Sequence, residues 1–401
     1  MHLPAGRHLA VTWGVADRFG GMTRAMLHRS RAFVRLGGVP VDVLTFDHRD
    51  DYPQLEQRLR DEGELVHGMR LLNIWDWFRD QGTPAQEHVD DEGRRRIVVR
   101  DASGEVIRES GPWAFYRHWL DRLRSGDPAF VIVDSKTAAR FAATYRRKNV
   151  AVLHVVHNSH LGPDGQLRGS RRDALEQLDR FDTVVVLSER QRDDMVGMLG
   201  HAERLAVVPN ATDRVRRSTV PRGDAGVVVA SLDGRKRVDH AVRAAQQAGV
   251  PLDVFGDGPK RQQLEALGTD AVFHGHRPLQ DVYPAASFLL LTSKAEGFPL
   301  VLLEAMAAGC IPIAYDVPYG PADIITDGVD GYLVREGDID GLAARIREFT
   351  ALPPRARARM RRAARRRAAA FSDRRVTRRW AGVLAATAAR HRAEWRSAAV
   401  G

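Results

Sequence analysis

The feature that most constrains this chain is a succession of short apolar runs, each ending in a polar loop, with helix-patterned stretches between them. HLAVTWG (8–14), VPVDVLTF (39–46), FVIVDS (130–135), VAVLHVVH (150–157), DTVVVLS (182–188) and LAVVPNAT (205–212) form one set. GVVVASLD (226–233), PLDVFGDG (251–258), AVFHGH (271–276), SFLLLTS (287–293) and CIPIAYD (310–316) form another. Continuous apolar runs of this length belong to strands covered on both faces, and alternation with helices implies parallel sheets. A chain of 401 residues also exceeds what one core usually serves. The polar stretch TDRVRRSTVPRGD (212–224) reads as an interdomain linker. The expected class is therefore α/β, with doubly wound domains over 1–211 and 225–370 and a terminal helix over 371–401. In such sheets ligands bind beyond the carboxyl ends of the strands, so those loops are where chemistry belongs.

The first half carries two further signals. Gly20 and Gly21 fall between the first strand and the amphipathic stretch 22–38, whose Met22, Met26, Phe33 and Leu36 share a helical side. Glycines there let backbone approach a phosphate closely. RRRIVVRDASGEVIRES (94–110) alternates around an Asp-Ala-Ser-Gly turn, as a hairpin does. With its tryptophan-bearing flanks it marks a β insertion over about 75–120.

Several classes are excluded. Apolar and charged fractions of 44% and 28% are those of a globular chain. No run approaches the roughly 20 apolar residues that span a bilayer. The start MHLPAGRHLAVTWG does not read as a secretory signal, which suggests a cytoplasmic setting. Cys310 stands alone, so neither a disulfide framework nor a thiolate zinc cluster is expected. Much of the net charge of +10 lies in the Arg-dense segment 353–380. Its row Arg361, Arg362, Arg365 and Arg366 reads either as a solvated helix face or as a patch for an anionic polymer or membrane surface. No nucleic-acid-binding signature accompanies it.

The densest chemical signal is KAEGFPLVLLEAMAAGCIPIAYD (294–316). Glu296 falls in the loop after a buried strand, Pro299 suits the first helical turn, and Gly309 stops the helix. The free amides of Gly297, Phe298 and Leu300 form an anion site backed by the helix dipole. Glu304 follows about one and a half turns in, so two carboxylates serve one ligand from different depths. HVVHNSHLGPDG (154–165) closes another buried strand; His154 reads as structural and His157 is favoured over His160 for the site. Ser188 and Gln191 read as a capping box. The DID run (338–340) reads as helix capping rather than a metal motif.

This E-x7-E spacing, together with LDGRKRVDHAVRAA, VFGDGP, VFHGH and PYGPADIITDGVDGYLV, resembles the retaining glycosyltransferases of family 4. The GG loop, the insertion, HNSHL and LSERQRDDM resemble the wall-teichoic-acid α-glycosyltransferases and the transferases that add GlcNAc to serine-rich proteins. The resemblance implies a GT-B fold, two Rossmann-like domains facing across a cleft. It assigns Glu304 to the ribose hydroxyls, Glu296 to the donor sugar, and the amides from Gly297 through Leu300, around Pro299, to sugar and phosphate. Lys236 neutralises the diphosphate, His157 stands near the reacting carbon, and Gly20, Gly21 and His276 join the donor site. The family's arginine five positions before that lysine is Ser231 here; Arg235 or Arg237 would supply the charge. The implied donor is UDP-glucose or UDP-GlcNAc, with no metal or other cofactor and no nucleic-acid partner. The implied acceptor is a hydroxyl of an anionic polymer, a protein or a small molecule. Contact with the inner membrane face and self-association through the insertion are further implications. The rival readings are a sugar phosphorylase or synthase on the same fold and a non-catalytic partner subunit.

Overall fold

The computed structural model describes residues 2–15, 20–49, 51–162, 165–169, 172, 175–212, 223–277 and 282–391. The expected linker falls mostly at 213–222, outside the described residues.

Along the chain come β1 (Arg7–Val11), β2 (Val41–Thr45) and β3 (Met69–Asn73), then β4 (Ala85–Val89), β5 (Arg95–Arg100) and β6 (Val106–Ser110). The first half closes with β7 (Ala129–Val133), β8 (Val150–Val155), β9 (Thr183–Val186) and β10 (Leu205–Val207). The second half holds β11 (Gly226–Val229), β12 (Leu252–Phe255), β13 (Val272–Gly275), β14 (Phe288–Leu291), β15 (Ile311–Asp316) and β16 (Tyr332–Arg335).

Two parallel sheets result, ordered β10-β9-β8-β7-β1-β2-β3 and β13-β12-β11-β14-β15-β16. In each, the strand order reverses beside the first strand, β1 or β11, which is where an open α/β sheet leaves a crevice for a ligand. The central strands are buried throughout, as their unbroken Val, Ile and Leu content requires. β16 escapes sequence inspection because only four residues, YLVR, form it, and they alternate in burial.

The insertion differs from its expected outline. Its antiparallel sheet, β4-β5-β6, occupies Ala85–Ser110, whereas the tryptophan-bearing flanks form helices Ile74–Asp80 and Pro112–Arg124. Ile97 and Val99 of β5 are buried with Phe78, Phe115 and Trp119 of those helices. The β5–β6 turn is held by the Asp101 carboxylate, which accepts from the N–H groups of Ser103 (2.9 Å) and Glu105 (3.0 Å), while Gly104 takes φ +87°. Asp90 and Gly93 repeat the device between β4 and β5; the sequence of β4, AQEHV, carries no apolar run.

The helix Asp373–Arg390 packs on the first half. Trp380 meets Phe33 edge-on at 5.8 Å, and the Arg29 guanidinium lies 5.2 Å from its ring centre. Further along, Thr387 and Thr183 hydroxyls are 2.8 Å apart, and Arg390 donates to the Asp182 carbonyl at 2.5 Å.

The preceding helix, Pro354–Ala369, corrects the notion of one continuous basic patch. Met360, Ala363, Ala364 and Ala368 are buried, so its arginines divide between two sides. Arg361 donates to Ser287 Oγ (3.3 Å), Arg365 lies against Gly309, and Arg367 donates to the carbonyls of Ile324 (2.8 Å) and Asp323 (2.6 Å). Of the four residues named as a row, Arg362 and Arg366 alone are exposed. Arg361 and Arg365 hold the helix onto its own domain.

The docking of the last helix rests on Trp380, which is 4% exposed. Trp380→Ala should therefore lower the unfolding free energy by about 3–5 kcal/mol, the usual cost of emptying a buried tryptophan site. Chemical denaturation checks this; a loss below about 1 kcal/mol would mean the helix is held by something else.

Candidate active site

A cavity of about 960 Å³ lies between the carboxyl ends of the two sheets. The first half contributes Gly20, Gly21 and Arg24 from the start of the helix Gly21–Ala32, and His157 and Ser159 from the loop after β8. The second half contributes Ser231, Arg235 and Lys236 after β11, His276 after β13, and the run from Glu296 through Leu300 after β14. The structure thus brings every expected site residue to one cavity except Glu304, which meets it through Arg24, one of the lining residues. Arg237 turns away, donating to the carbonyls of Thr292 (3.1 Å) and Ser293 (3.0 Å). Asp338 accepts from the Gly341 amide (2.7 Å), a helix cap outside the cavity.

The wall after β14 is shaped by a steric requirement at Gly297. A Cβ there would lie 2.0 Å from the His157 carbonyl oxygen and 2.8 Å from Asn158 Cα. Any side chain would push the halves apart. Two hydrogen bonds secure the approach: the Ser159 N–H donates to the Glu296 carbonyl (3.0 Å), and the Asn210 amide donates to the Phe298 carbonyl (3.1 Å). The helix begins at Leu300, with Pro299 as its cap in extended geometry (φ −70°, ψ 110°). This corrects the placement of Pro299 inside the first turn. The cap position still leaves the first amides of the helix without intrahelical acceptors.

Around this wall the charges are paired. Lys236 Nζ donates to Glu296 Oε1 at 2.5 Å, with both side chains largely buried. Ser231 donates to Asp233 at 2.8 Å, and the same carboxylate accepts the Arg235 N–H (2.8 Å), so Ser231 holds the loop and brings no charge. Glu304 is gripped on one oxygen by Arg24 of the first half and on the other by the Tyr283 hydroxyl (2.8 Å). Burial pushes the Tyr283 phenol well above its ordinary range, and the Glu304 charge adds to that, so Tyr283 stays a proton donor.

On the opposite wall, His157 is oriented by an acid that sequence reading left without a role. His157 Nε2 lies 2.7 Å from Asp134 Oδ1, and Asp134 receives a two-pronged bond from Arg29 at 2.8 and 2.7 Å. Burial acts to raise the Asp134 carboxyl; the Arg29 guanidinium and the His157 bond outweigh it and hold the carboxyl at about 2. The other ring nitrogen of His157, Nδ1, is buried and has no hydrogen-bond partner among the described residues. Gln191, beyond completing a helix cap with Ser188 (3.2 Å), accepts from the Leu187 amide (3.2 Å) and donates to the Asn158 carbonyl (3.1 Å). It thereby braces the loop behind His157. His154 is structural, bonded to the Val133 carbonyl at 3.0 Å, and His160 stacks on Tyr319 with ring centres 5.5 Å apart.

Comparison with known proteins decides the family. Residues 20–211 match the family described as "Glycosyl transferase 4-like domain", and residues 222–367 match "Glycosyl transferases group 1". The chain belongs to this two-domain glycosyltransferase family. Among its relatives, the poly(glycerol-phosphate) alpha-glucosyltransferase of Bacillus subtilis is 24% identical over 312 residues, 73% of this chain and 44% of that protein. The exopolysaccharide phosphotransferase SCO2592 of Streptomyces coelicolor is 34% identical over 240 residues, 56% of this chain and 25% of its own length. This chain thus spans less than half of either relative. The GT-B fold is shared with a TarM variant of S. aureus, solved with Fondaparinux, alpha-GlcNAc-glycerol and UDP, at a TM-score of 0.83. Identity there is 17%, with 95% of this chain and 100% of that one covered.

Of the polar residues around the cleft, Asp134 offers the clearest pH test. Its folded pKa lies below the ordinary value near 4, so its stabilisation is full above about pH 4 and is lost as pH falls towards about 2. Asp134→Asn should cost about 3–5 kcal/mol at pH 7, because it leaves Arg29 buried without its partner. The gap to wild type should shrink as pH falls through that window, measured by thermal unfolding. A gap constant with pH would overturn the assignment.

Proposed function

We propose that this protein transfers a hexose or N-acetylhexosamine from a UDP-sugar, with retention of anomeric configuration, to a hydroxyl of a polymer, protein or small-molecule acceptor. The observation that carries this reading is the convergence of Lys236, Glu296 and the helix start at Leu300 on one side of the cavity, with His157 facing them. The UDP in the TarM structure and the glucosyl transfer named for the Bacillus relative support it.

In this reading the Glu304 carboxylate receives the ribose hydroxyls and Glu296 contacts the donor sugar. Lys236, Arg235 and the amides at 297–300 stabilise the departing diphosphate, with Gly20, Gly21 and His276 completing its surroundings. His157 stands near the reacting carbon of the sugar. Glu296 is tied to Lys236, so a covalent glycosyl-enzyme is disfavoured. The acceptor oxygen instead forms its bond to the anomeric carbon on the face that the phosphate leaves, and a phosphate oxygen takes the acceptor's proton. Charge neutralisation comes from side chains and helix dipoles, so no metal is required. A cytoplasmic site of action, close to the inner membrane face, fits an acceptor of the wall-polymer class.

Two measurements test this reading. Glu304→Ala should weaken UDP-sugar binding by roughly 1.5–3 kcal/mol, the range for hydrogen bonds to a charged group. Unchanged calorimetric affinity in a folded variant would remove the ribose assignment. UDP release from UDP-glucose or UDP-GlcNAc should persist in excess EDTA. Loss of turnover that Mg²⁺ or Mn²⁺ restores would overturn the metal-free reading.

A further inference from the structure

Arg24 is the cavity residue whose partner stands where the nucleotide is expected. It lies in the first turn of the helix Gly21–Ala32, with its N–H on the Gly20 carbonyl (3.1 Å), and its side chain crosses from the first half to Glu304 in the second. The Arg24 side chain is 35% exposed and that of Glu304 is 12% exposed, so the pair sits at the cavity edge and not in a sealed core. Tyr283, fully buried, anchors the other carboxylate oxygen. The oxygen facing Arg24 is therefore the exchangeable one.

We propose that Arg24 changes partner on donor binding: it neutralises Glu304 in the empty cleft and moves to the diphosphate when ribose hydroxyls take that carboxylate. This rests on the donor reading above. The geometry favours Arg24 over Lys236, Arg168 and Arg235. Lys236 is engaged by Glu296, and Arg168 donates to the Leu161 carbonyl (2.6 Å). Arg235 faces Asp233 at 3.8 Å, a carboxylate that ribose does not displace. Arg24 alone of these holds the carboxylate assigned to ribose.

A released guanidinium would remain tethered one turn from Gly20 and Gly21. A side chain beginning at either glycine would meet no atom of the described residues within 4 Å, so this helix start faces open space among them. No acidic residue occupies the helix's first turn, and its amides favour an anion at the same place. A guanidinium there can hold phosphate oxygens in pairs.

The exchange has a measurable signature. Uridine alone must displace Arg24 from Glu304 and offers it nothing in return, whereas UDP offers a new partner. Wild type should thus discriminate strongly between UDP and uridine. In Arg24→Gln, UDP affinity should fall by at least about tenfold, the scale of one lost charge-assisted bond, while uridine affinity stays equal or rises. Arg24→Lys, which keeps the charge, should retain part of the discrimination and serves if the glutamine variant folds poorly. Calorimetry for UDP and ligand-observed NMR for uridine provide the values. Equal weakening of both ligands, or an unaltered UDP affinity, would overturn the exchange. Wild type that neither binds UDP nor turns over a UDP-sugar would instead overturn the donor reading itself.

Discussion

The arrangement depends on one steric constraint, the absence of a side chain at Gly297. Because nothing projects there, the loop after β14 comes against the His157 carbonyl, and the bonds from Ser159 and Asn210 can close across the contact. The two halves are thereby joined where their strand ends face, and one hydrophobic cluster runs through both. A helix start with unpaired amides and an oriented histidine then look into a single cavity. Were the halves held apart by a methyl group, each wall would offer half of a binding site.

A second constraint acts from behind. Arg29 fixes Asp134, Asp134 fixes His157, and Trp380 of the terminal helix covers Arg29. The last helix of the described chain is thus linked, through one buried charge network, to a side chain that lines the cavity. Buried charges of this kind are weak sources of net stability and costly to break singly. Their use here is orientation: they fix the ring of His157, a residue that lines the cavity.

Much of this was legible in the sequence because the signals were local. Buried strands announced themselves by unbroken Val, Ile and Leu runs, and Glu296, Gly297 and Glu304 lie within nine residues of one another on one loop and helix. What escaped depended on distance along the chain or on polarity. Arg24 and Glu304 are 280 positions apart, and no pattern near either names the other. Asp134 had a faint signal: it follows β7, whose Val133 registers with His154 of β8, so strand pairing puts it beside the loop that bears His157. The polar strand β4 shows no periodicity to find. The Arg-dense helix looked uniformly basic because composition alone does not reveal which arginines turn inward; buried Met360 and Ala364 decide that.

The central claim is that one nucleotide ligand touches both halves at once. Hydrogen–deuterium exchange with and without saturating UDP tests it most directly. Amide exchange should slow together at residues 20–24 and 157–159 of the first half and at 235–237 and 297–301 of the second. Protection confined to one half, or absent from all four segments, would contradict the account.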